Sequence, residues 1–293
     1  MLDLPEPIAV VAHDAGAANL LLGWLGQTPS AWLRPVMEGP AAVLWRRRFP
    51  KAALLPSPNA ALDGAASVLT GTGWASDLEH QARRAAARSG LWSAAAIDHW
   101  VNYPARFRRN GVTVLPDELL VGDRFAAAVA ARDLPGVPVR RLGNPYLAEQ
   151  AARARPREVA VNPDILYVLE PARDDWGRGV PGEFQALDHF LARRDALGIP
   201  SAARLRLRLH PSEPAGKYDG WIAGHPAAQI TLDAGGDLAD AMQGAGWVVG
   251  CQSFALVIAL EAGLAAISSL PPWAPPCRLP HDGLIHMKAA FDR

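Results

Sequence analysis

Cysteine is nearly missing from this chain: Cys251 and Cys277 are the only two in 293 residues. Two thiols make no disulfide framework, and their spacing is not that of a metal-ligand set. No apolar run approaches the roughly 18 residues of a membrane span, so stable membrane insertion is not expected. An excess of either charge is missing as well. Lys plus Arg and Asp plus Glu number 29 each, which argues against bulk nucleic-acid or membrane-surface binding. No Asp-x-Asp pair offers a metal site, and no turn carries the full Gly-x-Gly-x-x-Gly fingerprint of a dinucleotide fold. The opening "MLDLPEPIAVVAHD" puts acid and proline where a secretory signal needs a basic start. These absences together predict a cytoplasmic chain with no metal, no cofactor and no nucleic-acid partner.

Half of the residues are hydrophobic, enough for a sizeable core, and they fall in alternating patterns. "PIAVVAHD", "AAVLWRR", "SVLTGTG", "WSAAAIDHW", "ELLVGD" and "VRRLGNP" read as short strands. "AGAANLLLGWLGQ" and "ASDLEHQARRAAARSG" between them read as helices. The second has Ser76 three residues before Glu79, a capping pattern, and Gly90 at its C-terminal cap. A polar, basic stretch closed by prolines, residues 149 to 163, interrupts the series. The alternation then restarts with "DILYVLEP", "GEFQALDHFLARRDALG", "RLRLRLHP", "AQITLD", "GDLADAMQGA", "GWVVGC", "SFALVIALEAG" and "LAAISSL". Parallel sheets with right-handed crossovers follow, in two domains, 1–150 and 151–293.

Four turns and one strand end carry polar groups suited to chemistry. In "AHDAGAAN", small residues after the first strand let a ligand approach the backbone and the next helix N-terminus, with Asp14 at the strand end. The same residues also suit an ordinary tight turn capped by Asp14 or Asn19. "TGTGWASDLE" is a second flexible turn, explained by capping and turn formation. "DHWVNYPARF" places Asp98 and His99 beside three aromatics, as a structural pair or as a site lining. In "GWVVGCQSFALVIALEAG", Ser253 opens a helix and is either a phosphate contact or a plain cap. Glu261 near the helix C-terminus is mildly unfavourable there, which favours a ligand contact. "RLRLRLHPSEP" alternates as a strand with one apolar face, puts Arg204, Arg206 and Arg208 on the solvated one, and delivers His210 to the rim of a sheet.

"RLHPSE" and "GDLADAMQGAGWVVGCQSFALVIALEAGLAAISS" resemble the donor-binding half of GT-B glycosyltransferases and the related UDP-N-acetylglucosamine 2-epimerases. The His210–Pro211 pair is similar to the His-Pro motif of bacterial sialyl-, polysialyl- and Kdo-transferases, which use CMP-sugars, and of polyol-phosphate transferases. Asp14-Ala15-Gly16 is a loose match to their acidic-Gly motif, with one acid only, and Ser253, preceded by Gln252, stands where paired serines are usual. The resemblance implies an α/β fold of two Rossmann-like domains facing a cleft, the first on the acceptor side and the second holding the nucleotide donor. It implies a metal-independent glycosyltransferase moving a sugar from a CMP-sugar, or a UDP-sugar, to a cell-surface glycan or a small-molecule acceptor. A nucleotide-sugar 2-epimerase or hydrolase on the same scaffold is the alternative, and a non-catalytic nucleotide-binding descendant a further one. Asp14 would be the general base and His210 would stabilise the leaving nucleotide. Gly16, Pro211, Gln252 and Ser253 would hold phosphate, with Glu261 on the ribose and Asp98 and His99 towards the acceptor.

Overall fold

A computed structural model describes residues 2–156, 163–172 and 174–290 of the chain. The chain divides into two units, Met1–Tyr146 and Leu147–Arg293. Of the interrupting stretch read from the sequence, residues 149–154 belong to the helix Pro145–Ala154, and 157–162 lie outside the described residues.

The first unit is built on β1 (Ile8–Ala12), β2 (Leu33–Met37), β3 (Ser67–Thr70), β4 (Trp92–Ile97), a small hairpin of β5 (Arg108–Arg109) and β6 (Val112–Thr113), then β7 (Glu118–Val121) and β8 (Val139–Arg141). Six of these form one parallel sheet in the order β2-β1-β3-β4-β7-β8. Every residue of β1 is buried. Ile8, Val10 and Ala12 pack into the core beneath the helices Ala15–Trp24 and Gly39–Arg48. Ala9 and Val11 enter a second core against the helix Leu78–Ser89. Opposite parity in opposite cores is what a strand covered on both faces requires.

One strand expectation fails here. "AAVLWRR" lies within the helix Gly39–Arg48, with Pro40 in its first turn and Ala41, Ala42 and Trp45 buried. Proline at a helix start costs nothing in hydrogen bonds, and burial at those positions follows a helical face. The strand is instead β2, "LRPVM", which Pro35 disguises. β2 lies at the edge of the sheet, where a missing N–H is tolerated.

The second unit contains β9 (Asp164–Val168), β10 (Leu205–Arg208), β11 (Ile230–Leu232), β12 (Ala245–Gly250), β13 (Ala265–Ser268) and β14 (Ile285–His286). They pair in parallel in the order β11-β10-β9-β12-β13-β14. Ranked by appearance this is 3-2-1-4-5-6, the doubly wound Rossmann order. Ile165, Tyr167, Leu205 and Leu207 pack on Leu187 and Phe190 of the helix Gly182–Arg193. The arginines of β10 alternate with those leucines, yet their face is not simply solvated. Arg206 and Arg208 are half-buried and both pair with Asp233 (3.0 and 2.6 Å), while Arg204 pairs with Asp164 (2.6 Å). No described helix is long and apolar enough to cross a membrane.

Candidate functional site

In an open parallel sheet, ligands bind beyond the carboxyl ends of the strands where the strand order reverses. In the first unit that point lies between β1 and β3. The turn after β1 carries His13 and Asp14, and the turn after β3 carries Gly71, Thr72, Gly73 and Trp74. The two turns interlock. Asp14 Oδ2 accepts the Trp74 backbone N–H at 3.0 Å, and Asp14 Oδ1 accepts from His13 Nδ1 at 2.7 Å. A Cβ on Gly73 would stand 2.2 Å from Asp14 Oδ2, so the closeness of the turns depends on glycine there. Asp14 precedes the helix Ala15–Trp24 without a side-chain capping bond to it.

Asp98, just past β4, joins the same cluster. A Cβ on Gly16 would lie 2.0 Å from Asp98 Oδ2. Asp98 Oδ1 accepts from the buried Arg106 at 2.9 Å, and Arg106 also donates to Thr72 O and Oγ1 at 3.2 Å. His99 accepts the Trp100 backbone N–H on Nδ1 at 2.9 Å. The structure thus brings Asp14, Gly16 and Asp98 together.

Several members of this cluster were not foreseen from the sequence. Trp74 is exposed, with the guanidinium groups of Arg106 and Arg109 at 5.5 and 5.8 Å from its ring centre. Glu79, read as part of a helix cap, is instead buried beneath the turns, where its Oε1 accepts the His13 backbone N–H at 3.1 Å. Burial pushes its carboxyl above the ordinary range, against the His13 N–H and the nearby Arg83, which pull it down. Ser76 accepts the Leu78 N–H at 3.1 Å, but the N-cap position is Asp77, so the expected Ser76–Glu79 capping pair does not form.

In the second unit the order reverses between β9 and β12. Ser253 is the N-cap of the helix Phe254–Glu261, its hydroxyl accepting the Ala255 N–H at 3.2 Å. The turn already holds a carboxyl group. Glu170, just past β9, accepts the Gln252 backbone N–H at 2.7 Å. Burial raises its pKa, and the N–H groups of Gln252, Ser253 and Cys251 oppose that rise. Glu261 closes the same helix and is exposed, eight residues from Ser253 and so about 12 Å along the axis. The structure does not bring it to the turn.

His210 lies two residues past β10 and is exposed, as is Pro211. Its Nδ1 accepts the Ser212 backbone N–H at 3.2 Å and also meets Ser212 Oγ at 2.7 Å. With Nδ1 accepting, the neutral ring carries its proton on Nε2. β9 separates β10 from β12, so His210 and the Gln252–Ser253 turn leave the same sheet edge about 10 Å apart. Beyond His210, Lys217 binds Glu213 (2.7 Å) and Glu183, both buried carboxylates, which ties this loop to the helix after β9. Among the described residues, no group of three or more His, Cys, Asp or Glu could hold a metal ion.

By sequence, no family model and no curated protein matches this chain. By structure it is similar to Staphylococcus aureus MnaA in complex with UDP, with a TM-score of 0.58 and 12% identity over 89% of this chain and 78% of that one. It is also similar to the UDP-GlcNAc 2-epimerase of Neisseria meningitidis bound to UDP-GlcNAc, at TM-score 0.57 and 11% identity over 89% and 82%. The UDP-GlcNAc 2-epimerase of Methanocaldococcus jannaschii matches at TM-score 0.57 and 8% identity over 89% and 83%. Identities this low speak for the fold alone. The chain shares their two-domain, GT-B-like fold, with one Rossmann-like sheet in each unit.

Proposed function

We propose that this chain is an enzyme acting on a nucleotide-activated sugar, with proton transfer handled by the first unit and the nucleotide held by the second. The observation that carries this reading is the placement of polar turns at the strand-order reversal of both sheets, on a fold shared with UDP-GlcNAc 2-epimerases. That likeness supports an epimerase or hydrolase at least as well as a transferase. The His210–Pro211 pair is what favours the second reading, transfer of a sugar from a CMP- or UDP-sugar to a glycan or small-molecule acceptor.

In both readings His210 donates from Nε2 to a donor phosphate oxygen and stabilises charge on the departing nucleotide. Pro211 shapes its turn, and Gln252 and Ser253 offer a second contact. A phosphate at that second contact competes with Glu170, so His210 is the stronger of the two anchors. Gly16 keeps the Asp14 turn close to Asp98. Asp98 and His99 form the wall on the sugar or acceptor side. Glu261, further along the helix that Ser253 opens, is kept for the ribose rather than the phosphate.

Incubation with UDP-N-acetylglucosamine and with CMP-sialic acid, each without acceptor, separates the readings. Epimerised or hydrolysed sugar favours the first, and turnover only after an acceptor is added favours the second. Failure to bind either compound contradicts both. His210→Ala should weaken binding of UDP or CMP roughly tenfold to a hundredfold, the worth of a charged hydrogen bond of about 1.5–3 kcal/mol. Uridine and cytidine should bind as before. Isothermal titration reads the difference, and equal losses for nucleotide and nucleoside would assign His210 to the fold.

A further inference from the structure

We propose that the proton acceptor of the first unit is Nε2 of His13, with Asp14 as the positioning residue that orients it. The inference rests on the nucleotide-sugar reading above and changes which atom handles the proton. Asp14 presents no unengaged oxygen to a substrate proton. Oδ1 accepts from His13 Nδ1 at 2.7 Å and Oδ2 accepts the Trp74 N–H at 3.0 Å. The backbone at Gly73 closes over Oδ2, where a Cβ would come within 2.2 Å.

The same bond sets the tautomer of His13. An ionised carboxylate can only accept, so the proton of the neutral ring resides on Nδ1 and the lone pair on Nε2. Among the described residues no hydrogen bond ends on Nε2, and the His13 side chain is one-fifth exposed. The residue is held from two sides. Its backbone N–H donates to the buried Glu79. Its ring lies against Gly39, at φ +47°, where a Cβ would be 2.7 Å from Nε2. A fixed ring, a defined tautomer and a lone pair that no described protein group engages, at the reversal between β1 and β3, are what a general base needs.

In the reaction, Nε2 takes the proton of an attacking hydroxyl, from acceptor or water. That oxygen forms its bond to the anomeric carbon as the bond from that carbon to the phosphate oxygen breaks, its electron pair leaving with the nucleotide. The imidazolium so formed is stabilised by Asp14 and later gives its proton to solvent.

Two measurements test this. Nitrogen-15 NMR of the labelled chain, with His13 assigned by the signal lost in His13→Gln, should show Nδ1 protonated and Nε2 bare. Asp14→Ala should shift the ring toward the Nε2-protonated tautomer. A wild-type ring protonated on Nε2 overturns the proposal. In parallel, His13→Gln should lower turnover of the sugar nucleotide by about a hundredfold or more while nucleotide affinity holds. Adding Asp14→Ala to His13→Gln should cost little more, as for residues acting as one unit. Unchanged turnover in His13→Gln, beside an active wild type, sinks this proposal alone. An inactive wild type with the tautomer as expected sinks the nucleotide-sugar reading instead.

Discussion

Arg83→Met should destabilise the first unit by about 3–5 kcal/mol at neutral pH, from the loss of two buried hydrogen bonds donated by a charged group at about 1.5–3 kcal/mol each. Arg83 is buried on the helix Leu78–Ser89, one turn after Glu79. Its Nη1 donates to Thr70 Oγ1 at 3.0 Å and to Gly71 O at 2.9 Å, and its guanidinium lies 5.1 Å from the Phe107 ring centre. Burial brings it down to about 10, against the charge of Glu79. Methionine retains much of the length and apolar contact, so the loss reports mainly on charge.

The deficit should depend on pH in a defined direction. Burial raises the Glu79 pKa in the folded state. A group that holds its proton more tightly when folded contributes most below its unfolded pKa and loses that contribution as pH rises through the folded value. Removing Arg83 raises the folded value further, so the deficit in urea unfolding should be larger at pH 8 than at pH 5. Equal deficits at the two pH values, or a deficit under about 1 kcal/mol at pH 8, would show that the Arg83 charge does not support Glu79.

The second large effect is on turnover. Asp14→Asn should reduce it by about a hundredfold or more with nucleotide affinity nearly intact. The shape is conserved, but an Asn amide can present an N–H where the carboxylate accepted one, which favours the wrong histidine tautomer and leaves an imidazolium unsupported. Steady-state kinetics beside nucleotide titration separates the two quantities. Turnover unchanged in Asp14→Asn would remove the turn after β1 from the chemistry and leave Asp98 as the next acid to test.

Most central strands were legible because a strand buried on both faces reads as a continuous apolar run, as "IAVVA" and "ILYV" do. β2 was hidden by Pro35, which only its place at the sheet edge makes acceptable. The helix Gly39–Arg48 was misread because Val43, Leu44 and Trp45 are consecutive, although only Trp45 of the three is fully buried. In the candidate site, the turn residues Asp14, Asp98, His210 and Ser253 were visible from their places after apolar runs. Their partners were not. The Arg106 contact with Thr72 spans 34 residues and the Glu170 contact with Gln252 spans 82, distances over which no local periodicity carries information. Glu79 matched a capping pattern, and only the packing of its helix under β1 and β3 shows the carboxylate pointing inward.

The claim that this fold holds a sugar nucleotide is tested most directly by titrating the full chain with UDP, CMP and their nucleosides while following thermal unfolding. A ligand that binds only the folded chain raises its Tm as its concentration passes Kd. The account predicts a rise with UDP or CMP, a smaller one with uridine or cytidine, and loss of most of that difference in His210→Ala. No rise with either nucleotide at millimolar concentration would contradict it.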